Sequence, residues 1–212
     1  ISGANSGRTI QDLIGVADTS VLLGSKSLTV DTANTTTFAG VIADGGIDGG
    51  SGGGLVKQGS GTLILTGANS YTGGTTVSGG TLQGNTTSLQ GNIVNNAVVA
   101  FGQSGNGTYA GNMSGSGALT VTGGGNVTLS GTNTYAGGTT VSAGTLTGTT
   151  TSVQGNITNN AAVVFDQATS GTYAGVMSGT GSLTKTGSGT VILTNDNSYG
   201  GGTTLNGGGL QL

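Results

Sequence analysis

The acidic residues are the first place to look for chemistry in this chain, because it has seven Asp and no Glu, His or Cys. Without those three residue types, most nucleophilic constellations and metal sites cannot be built. A pair of Asp could still cleave a glycosidic bond as acid and nucleophile. The seven carboxylates are Asp12, Asp18, Asp31, Asp44, Asp48, Asp166 and Asp196. The repeat described below predicts stacked coils of β-strands, and no two of these Asp residues fall at matching positions of neighbouring coils. Solvated turn residues are therefore the favoured interpretation.

Two of these residues, Asp44 and Asp48, lie in the Gly-rich segment ADGGIDGGSGGG at residues 43–54. The segment faintly resembles the GGxGxDxUx calcium-binding nonapeptides, and hard cations prefer carboxylate and carbonyl oxygens. Asp44 and Asp48 are therefore the candidate calcium ligands. Because the unit occurs once, a flexible loop is the favoured interpretation. We predict no catalytic residue, no cofactor and no other metal site. The same loop is the best candidate for a binding feature, because it alone interrupts the repeat described below.

Lysines and tyrosines recur at fixed positions and could contact a ligand. Lys57 and Lys185 share a position with Val121, and we expect their stems to cover the coil near a corner. Tyr71, Tyr135 and Tyr199 are equally spaced along the chain. They could stack on carbohydrate, but their wide spacing cannot give one continuous platform, and structural corner residues are the favoured interpretation.

A long internal repeat positions all of these residues. GSGTLILTGANSYTGGTTVSGGTL at residues 59–82 returns in similar form at 123–146 and 187–210. Such a fixed period, about 64 residues here, is typical of repeat architectures. We divide a single predicted domain, 1–212, into divergent coils (1–36), a first repeat with a seven-residue insertion within 43–54 (37–107), a second repeat (108–171) and a partial third (172–212).

Within each repeat, short segments alternate apolar and polar residues with a period of two, which indicates β-strands. Tight Gly-rich turns and the long repeat favour a single-stranded parallel β-helix over a sandwich or barrel. Dividing the repeat by three predicts about 21 residues per coil, three coils per repeat and about ten coils in all. The predicted core is Leu63, Leu65, Val77, Leu82, Ile93, Val99, Phe101, Leu119, Val127, Leu129, Val141, Leu146, Ile157, Val163, Phe165, Leu183, Val191, Leu193, Leu205 and Leu210.

The composition excludes several classes of function. Only 5% of the residues are charged and the net charge is −3, which argues against nucleic-acid binding. No apolar run approaches the length of a membrane span, so no membrane insertion by this segment is predicted. The first residues, ISGANSGRTI, lack a signal-peptide pattern. We therefore interpret the chain as a fragment of a longer protein.

The segment at residues 55–82 resembles the passenger-associated repeat of autotransporters, the secreted surface proteins of Gram-negative bacteria. It follows the pattern L-x-K-x-G-x-G-T-L-x-L-x-G-x-N-x-Y-x-G-G-T-x-V-x-x-G-x-L. Residues 183–210 depart from it at Asn195 and Leu205, and residues 119–146 depart at Val121. The resemblance implies a right-handed β-helix passenger at the cell surface, and a C-terminal translocator barrel in the full-length protein. It also implies an adhesin or self-association factor, whose host-surface or glycan receptor the sequence does not identify.

Two other functions remain open at this point. A β-helix polysaccharide lyase or hydrolase would need charged residues clustered along one groove. An ice-binding solenoid would need a dense array of threonines on a flat face. The Thr-Thr pair of the GGTT motif, at residues 75–76, 139–140 and 203–204, recurs about every 64 residues, which is too sparse for such an array and argues against the second. A non-catalytic stalk segment of an autotransporter adhesin is the favoured hypothesis.

Overall fold

The computed structural model describes residues 7–47 and 49–212, and within these ranges every regular element is a β-strand. The chain is a parallel β-solenoid of about 10 turns, as predicted from the sequence. It divides into two compact units, residues 1–100 and 101–212. The prediction of one domain is not tested by this division and stays a prediction, as does the right-handed sense of the coil.

The strands are two to five residues long. They are β1 Arg8–Ile10, β2 Ser20–Leu22, β3 Ser27–Asp31, β4 Thr35–Phe38, β5 Val41–Ala43, β6 Gly54–Gln58, β7 Thr62–Leu65, β8 Thr75–Val77, β9 Thr81–Gly84, β10 Ile93–Asn95, β11 Val98–Gly102, β12 Gly107–Tyr109, β13 Met113–Ser114, β14 Ala118–Thr122, β15 Asn126–Leu129, β16 Thr139–Val141, β17 Thr145–Gly148, β18 Ile157–Asn159, β19 Ala162–Asp166, β20 Gly171–Tyr173, β21 Met177–Ser178, β22 Ser182–Thr186, β23 Thr190–Leu193, β24 Thr203–Leu205 and β25 Gly209–Gln211.

In the first unit, strands of successive coils pair in parallel and form rows. One row runs β1, β3, β6, β8 and β10. A second row runs β4, β7 and β9, and β2 pairs with β5. Each coil thus contributes one short strand to each row, and the backbone hydrogen bonds run from coil to coil.

The second unit is built in the same way, from three parallel rows. The first runs β14, β16, β18 and β21. The second runs β12, β15, β17, β19, β22 and β24. The third runs β20, β23 and β25. Three rows correspond to three faces around each coil.

The paired residues give the coil length directly, since partners lie one coil apart. One of the shortest coils runs from Thr145 to Ala162. Most others have no more residues than the coil from Ser20 to Val41. Where β3 pairs with β6, Leu28 lies opposite Leu55, and this coil is clearly longer than the others. The additional residues lie between β5 and β6, in the Gly-rich segment that interrupts the sequence repeat.

The sequence repeat does not correspond to a whole number of coils. Leu119 pairs with Thr139, Thr139 with Ile157, and Ile157 with Met177, so three coils end at Met177. The repeat equivalent of Leu119 is Leu183, which lies beyond Met177 and pairs with Val163 in a different row. The step from the second repeat to the third is therefore three coils plus one further face, whereas three coils were predicted. Equivalent residues of the second and third repeats consequently lie on different faces.

The core is the row of apolar side chains that points to the axis of each unit. Of the predicted core residues, all except Leu205 and Leu210 are buried. Leu205, on β24, is instead 52% exposed, and Leu210 is half-buried. Both lie in the last coil of the chain, where β24 and β25 are paired on one side only. Leu205 is therefore not a core residue here.

Candidate functional site

In the first two repeats, the recurring Asn and Tyr lie inside the solenoid rather than on its surface. Asn69 occupies the Asn position of the first repeat and is 6% exposed. Its Oδ1 accepts a hydrogen bond of 2.7 Å from the Ile42 amide in the preceding coil, and its Nδ2 donates one of 2.7 Å to the Ser88 carbonyl in the next. One side chain thus connects three successive coils. This role was not predicted from the sequence, although an Asn stands at this position in all three repeats.

The same arrangement recurs in the second repeat. Asn133 is fully buried, accepts a hydrogen bond from the Met113 amide and donates one to the Ser152 carbonyl, both at 2.7 Å. In the third repeat, Asn197 accepts from the Met177 amide at 2.7 Å but donates to Asn195 of its own coil. Because buried polar groups without partners are costly, these bonds fix the register of the coils.

The recurring tyrosines are structural as well. Tyr71 and Tyr135 are almost completely buried, and their hydroxyl groups hydrogen-bond to Thr75 and Thr139 at 2.6 and 2.7 Å. Tyr199 makes the equivalent bond to Thr203 at 2.6 Å. Burial raises the pKa of Tyr71 and of Tyr135 to about 12. With 3% or less of their surface exposed, Tyr71 and Tyr135 present no ring on which a sugar could stack.

The recurring lysines are buried, so the prediction that their stems cover the outside of the coil is wrong, although they do lie near a turn. Lys57 is completely buried at an inward position of β6, and its Nζ donates to the carbonyls of Gln58, Gly59 and Gly79. Burial lowers the pKa of the Lys57 ammonium, and the Asp31 carboxylate opposes this shift.

The third repeat has the same feature. Lys185 is completely buried and donates to the carbonyls of Gln167, Thr186, Gly187 and Gly207. In both cases the ammonium satisfies backbone acceptors at a turn, which lets a charged group remain inside the coil. Val121 takes this position in the second repeat and is also fully buried.

Of the two calcium candidates, the structure describes Asp44. The Asp44 carboxylate accepts hydrogen bonds from the amides of Gly52, Gly53 and Thr72 and from the Thr72 hydroxyl. These bonds, above all the one from the Thr72 hydroxyl, lower the pKa of Asp44. Asp48 lies outside the described residues. Asp44 thus attaches the Gly-rich insertion to the following coil, and it supplies no free carboxylate edge in this arrangement.

The remaining carboxylates are dispersed. Asp12 accepts hydrogen bonds from the Thr32 hydroxyl and the Asn34 amide, and Asp166 accepts one from Thr186. Asp18, Asp31 and Asp196 are exposed. Among the described residues, no three Asp come close enough to hold a metal ion. The structure also describes no helix that is long and apolar enough to cross a membrane.

Threonines that are distant in sequence become neighbours on the outer faces of the second unit. Thr120 lies opposite Thr140 on the next coil, and Thr140 lies opposite Thr158. These threonines are far apart in the sequence, but in the structure they lie on neighbouring strands, which are about 4.8 Å apart. Hydroxyl-bearing columns of this kind form an uncharged outer surface.

The second unit also contains a polar cleft of about 280 Å³. Loop residues Gln154 and Asn156 form one wall, and Thr172 belongs to the other. Thr150 and Tyr173 line it as well and are themselves buried, at 7% and 2% exposure. Burial, with a smaller contribution from Tyr135, raises the pKa of Tyr173. This cleft was not predicted from the sequence, because the coil register that brings these segments together does not follow from the residue spacing alone.

Comparison with known proteins supports the resemblance that the sequence suggested. Residues 55–83, 119–147 and 183–212 match the passenger-associated-transport-repeat family. The chain is also 42% identical to the adhesin BmaC autotransporter of Brucella suis, over 62% of this chain. The aligned part is 5% of the length of that protein. No solved structure matches the chain.

Proposed function

We propose that this chain, which carries three passenger-associated transport repeats, is a non-catalytic structural segment of an autotransporter passenger. It would be displayed on a bacterial surface and contribute to adhesion or to association between cells. The full-length protein would then carry a C-terminal translocator domain for its export. These proposals rest on the repeats and on the similarity to an autotransporter adhesin.

The observation that carries the structural role is the inward position of the repeat signature. Asn69, Tyr71 and Lys57 are buried, and so are the recurring apolar pairs, which are Leu63 with Leu65, Val127 with Leu129 and Val191 with Leu193. What the repeats share is therefore used to join one coil to the next. Residues that face outward are free to differ between repeats, and these are the ones that a partner would meet.

The enzymatic alternative is a polysaccharide lyase or hydrolase. Two carboxylates flanking a glycosidic bond must be about 5–9.5 Å apart and free to exchange protons. Asp12, Asp44 and Asp166 instead accept hydrogen bonds from threonines, an Asn side chain or backbone amides. Carboxylates that are held by hydrogen bonds within the protein support the structural role. Turnover of any member of a glycan and polyuronate panel would revive the alternative.

The test is to display the chain on cells. The chain is fused to a secretion signal and to an autotransporter translocator, and surface exposure is measured by antibody labelling of intact cells. Attachment to epithelial cells and sedimentation of the bacteria are then compared with those of cells carrying the translocator alone. We expect labelling, together with increased attachment or faster sedimentation. Labelling with neither effect would contradict an adhesive role.

A further inference from the structure

The polar cleft of the second unit has the properties of a binding site for a small neutral ligand. At about 280 Å³ it is close to the lower end of ligand sites, which span roughly 300–1,000 Å³. A volume of this size holds one small molecule or one unit of a longer chain. The two segments that form it, around Gln154 and Thr172, belong to neighbouring coils of one unit.

Thr150, a lining residue of this cleft, has a hydroxyl group that bonds to no other described residue. Thr150 is only 7% exposed, and its backbone amide donates to Gln167 Oε1 at 2.9 Å. Among the described residues, none forms a hydrogen bond with its hydroxyl group. Thr36 Oγ1, and not this hydroxyl, is the enclosed side-chain atom without a partner in the described part of the chain, so water can reach the Thr150 hydroxyl. A ligand hydroxyl that replaces this water keeps the hydrogen bond.

The walls supply further hydrogen-bonding atoms of both kinds. Gln154 Nε2 donates a hydrogen bond to the Thr151 carbonyl, and Asn156 Oδ1 accepts one from the Val176 amide. Within the described residues this leaves Gln154 Oε1 as an acceptor and Asn156 Nδ2 as a donor. The Tyr173 hydroxyl donates to the Gly155 carbonyl at 2.8 Å and can still accept.

The charge of the lining selects the class of ligand. No charged residue lines the cleft in the described part of the chain, so an ionic ligand would be desolvated without compensation. An apolar ligand would leave the Thr150 hydroxyl unpaired. Vicinal hydroxyl groups, which donate and accept at short spacing, match the mixture of amide and hydroxyl groups in the walls.

We propose that this cleft binds one unit of a neutral saccharide. The proposal rests on the adhesive function proposed above and specifies a receptor chemistry for it. The same residue types occur one repeat earlier in the sequence, as Thr86, Gln90, Asn92, Thr108 and Tyr109. All five are retained, although Asn85 and Leu89 of the same stretch become Thr149 and Val153. Because no exposed aromatic ring lines the cleft to stack on a sugar, binding of a single unit is weak.

The test is an NMR titration of the ¹⁵N-labelled chain with D-galactose, D-mannose and N-acetyl-D-glucosamine, with D-glucuronate as the charged comparison. At least one neutral sugar should shift the amide signals of residues 154–156 and 172–175. Thr150→Val should weaken that binding about tenfold, whereas Thr140→Val, the same change on an outer face of the unit, should leave it unaltered. Unchanged amide spectra elsewhere in both variants serve as the check on folding.

Three results would overturn the saccharide site. They are no shift at these amides with any neutral sugar, equal effects of the two Thr→Val changes, or binding of D-glucuronate as strong as that of the neutral sugars. Attachment of displaying cells is measured in parallel with both variants. Attachment that persists without sugar binding would remove the cleft proposal and leave the adhesive function in place.

Discussion

At the scale of single residues, the unusual feature of this protein is its buried polar side chains. Lysine is almost never fully buried without a partner, yet Lys57 and Lys185 are completely buried. Their partners are backbone carbonyls at turns and not carboxylates. The sequence contained a signal for this position, because Val121 takes it in the second repeat. A position that alternates between Lys and Val is better interpreted as inward than as outward.

The contribution of the buried ammonium can be isolated by substitution. Lys57→Met keeps most of the stem and removes the donor to three carbonyls, so we expect a loss of about 1–3 kcal/mol in the free energy of unfolding. Leu55→Met, a volume-conserving change at another buried position of β6, should cost less than about 1.5 kcal/mol. Both are measured by denaturant titration. Equal costs for the two variants would show that the ammonium adds no net stability.

The buried tyrosines predict a specific response to alkali. In Tyr71 and Tyr135 the folded-state pKa is raised to about 12, above the usual value of 10.0. Their stabilising effect is therefore fully present below pH 10 and is lost as the pH rises from 10 toward 12. At about 1.4 kcal/mol for each pH unit, a pKa raised this far amounts to about 3 kcal/mol per tyrosine.

This response is followed by recording phenolate absorbance and circular dichroism during one pH titration. Ionisation of the buried tyrosines should coincide with the loss of β-structure. Full ionisation of all tyrosines near pH 10 with the circular dichroism unchanged would contradict the burial. In Tyr71→Phe, the free energy of unfolding should fall less between pH 10 and 12 than in the wild-type protein, and the difference should equal the contribution of one tyrosine.

At the scale of elements, the strands and the predicted apolar alternation were readable from the sequence, whereas the coil register was not. Leu63 and Leu65 could be assigned to one face because a strand has a period of two. The spacing of Leu119 and Leu183 suggested that they stack, but Leu183 lies in another row. Coils also differ in length, and the sequence repeat does not state where each coil closes. The bridging role of Asn133 and the polar cleft both depend on that register.

The hydrogen bonds by which Asn133 bridges neighbouring coils can be tested by substitution, with the equivalent Asn of the third repeat as the control. Asn133→Ala removes two buried hydrogen bonds and leaves the Met113 amide and the Ser152 carbonyl unpaired. We expect a loss of about 2–5 kcal/mol in the free energy of unfolding. Asn197→Ala should cost clearly less, because Asn197 is only half-buried and bonds to one neighbouring coil. A comparable cost for both would argue against a bridge.

The Gly-rich insertion is attached by Asp44 and should otherwise be dispensable. Deleting residues 45–51 keeps Asp44 and shortens the long coil between Leu28 and Leu55 to the length of the next one, between Leu55 and Thr75. The circular dichroism spectrum and the cooperativity of unfolding should therefore be retained. Loss of the folded state on deletion would show that the insertion closes the coil.

The attachment itself depends on the charge of Asp44. Its folded-state pKa is lowered below 3.8, so the stabilising effect is present above pH 3.8 and is lost as the pH falls through the folded-state value. Asp44→Asn should therefore speed hydrogen exchange of the Gly52, Gly53 and Thr72 amides at neutral pH. Relative to their intrinsic rates, the same amides of the wild-type protein should approach this lower protection in acid. Exchange rates that do not differ between the two proteins at neutral pH would contradict the attachment.

At the scale of the whole molecule, the composition follows from the architecture. A narrow coil interior accepts Val, Leu, Ile and Thr, and backbone pairing between coils replaces the large core of a globular domain. This explains how a chain with 48 Gly and 5% charged residues can fold. Within the second unit, a ligand-binding feature that recurs between the second and third repeats would lie on two different faces.

Residues of this protein become neighbours because they lie on adjacent coils, and not because they occupy equivalent positions of adjacent repeats. This can be tested directly by placing labels at both kinds of position. The chain contains no Cys, so pairs of Cys can be introduced and labelled with pyrene. Thr140 and Thr158 lie opposite each other on adjacent coils, whereas Thr204 is the repeat equivalent of Thr140 and lies in another row. We predict strong excimer fluorescence from T140C/T158C and none from T140C/T204C. The reverse result would contradict the coil register on which the bridges, the cleft and the proposed role all depend.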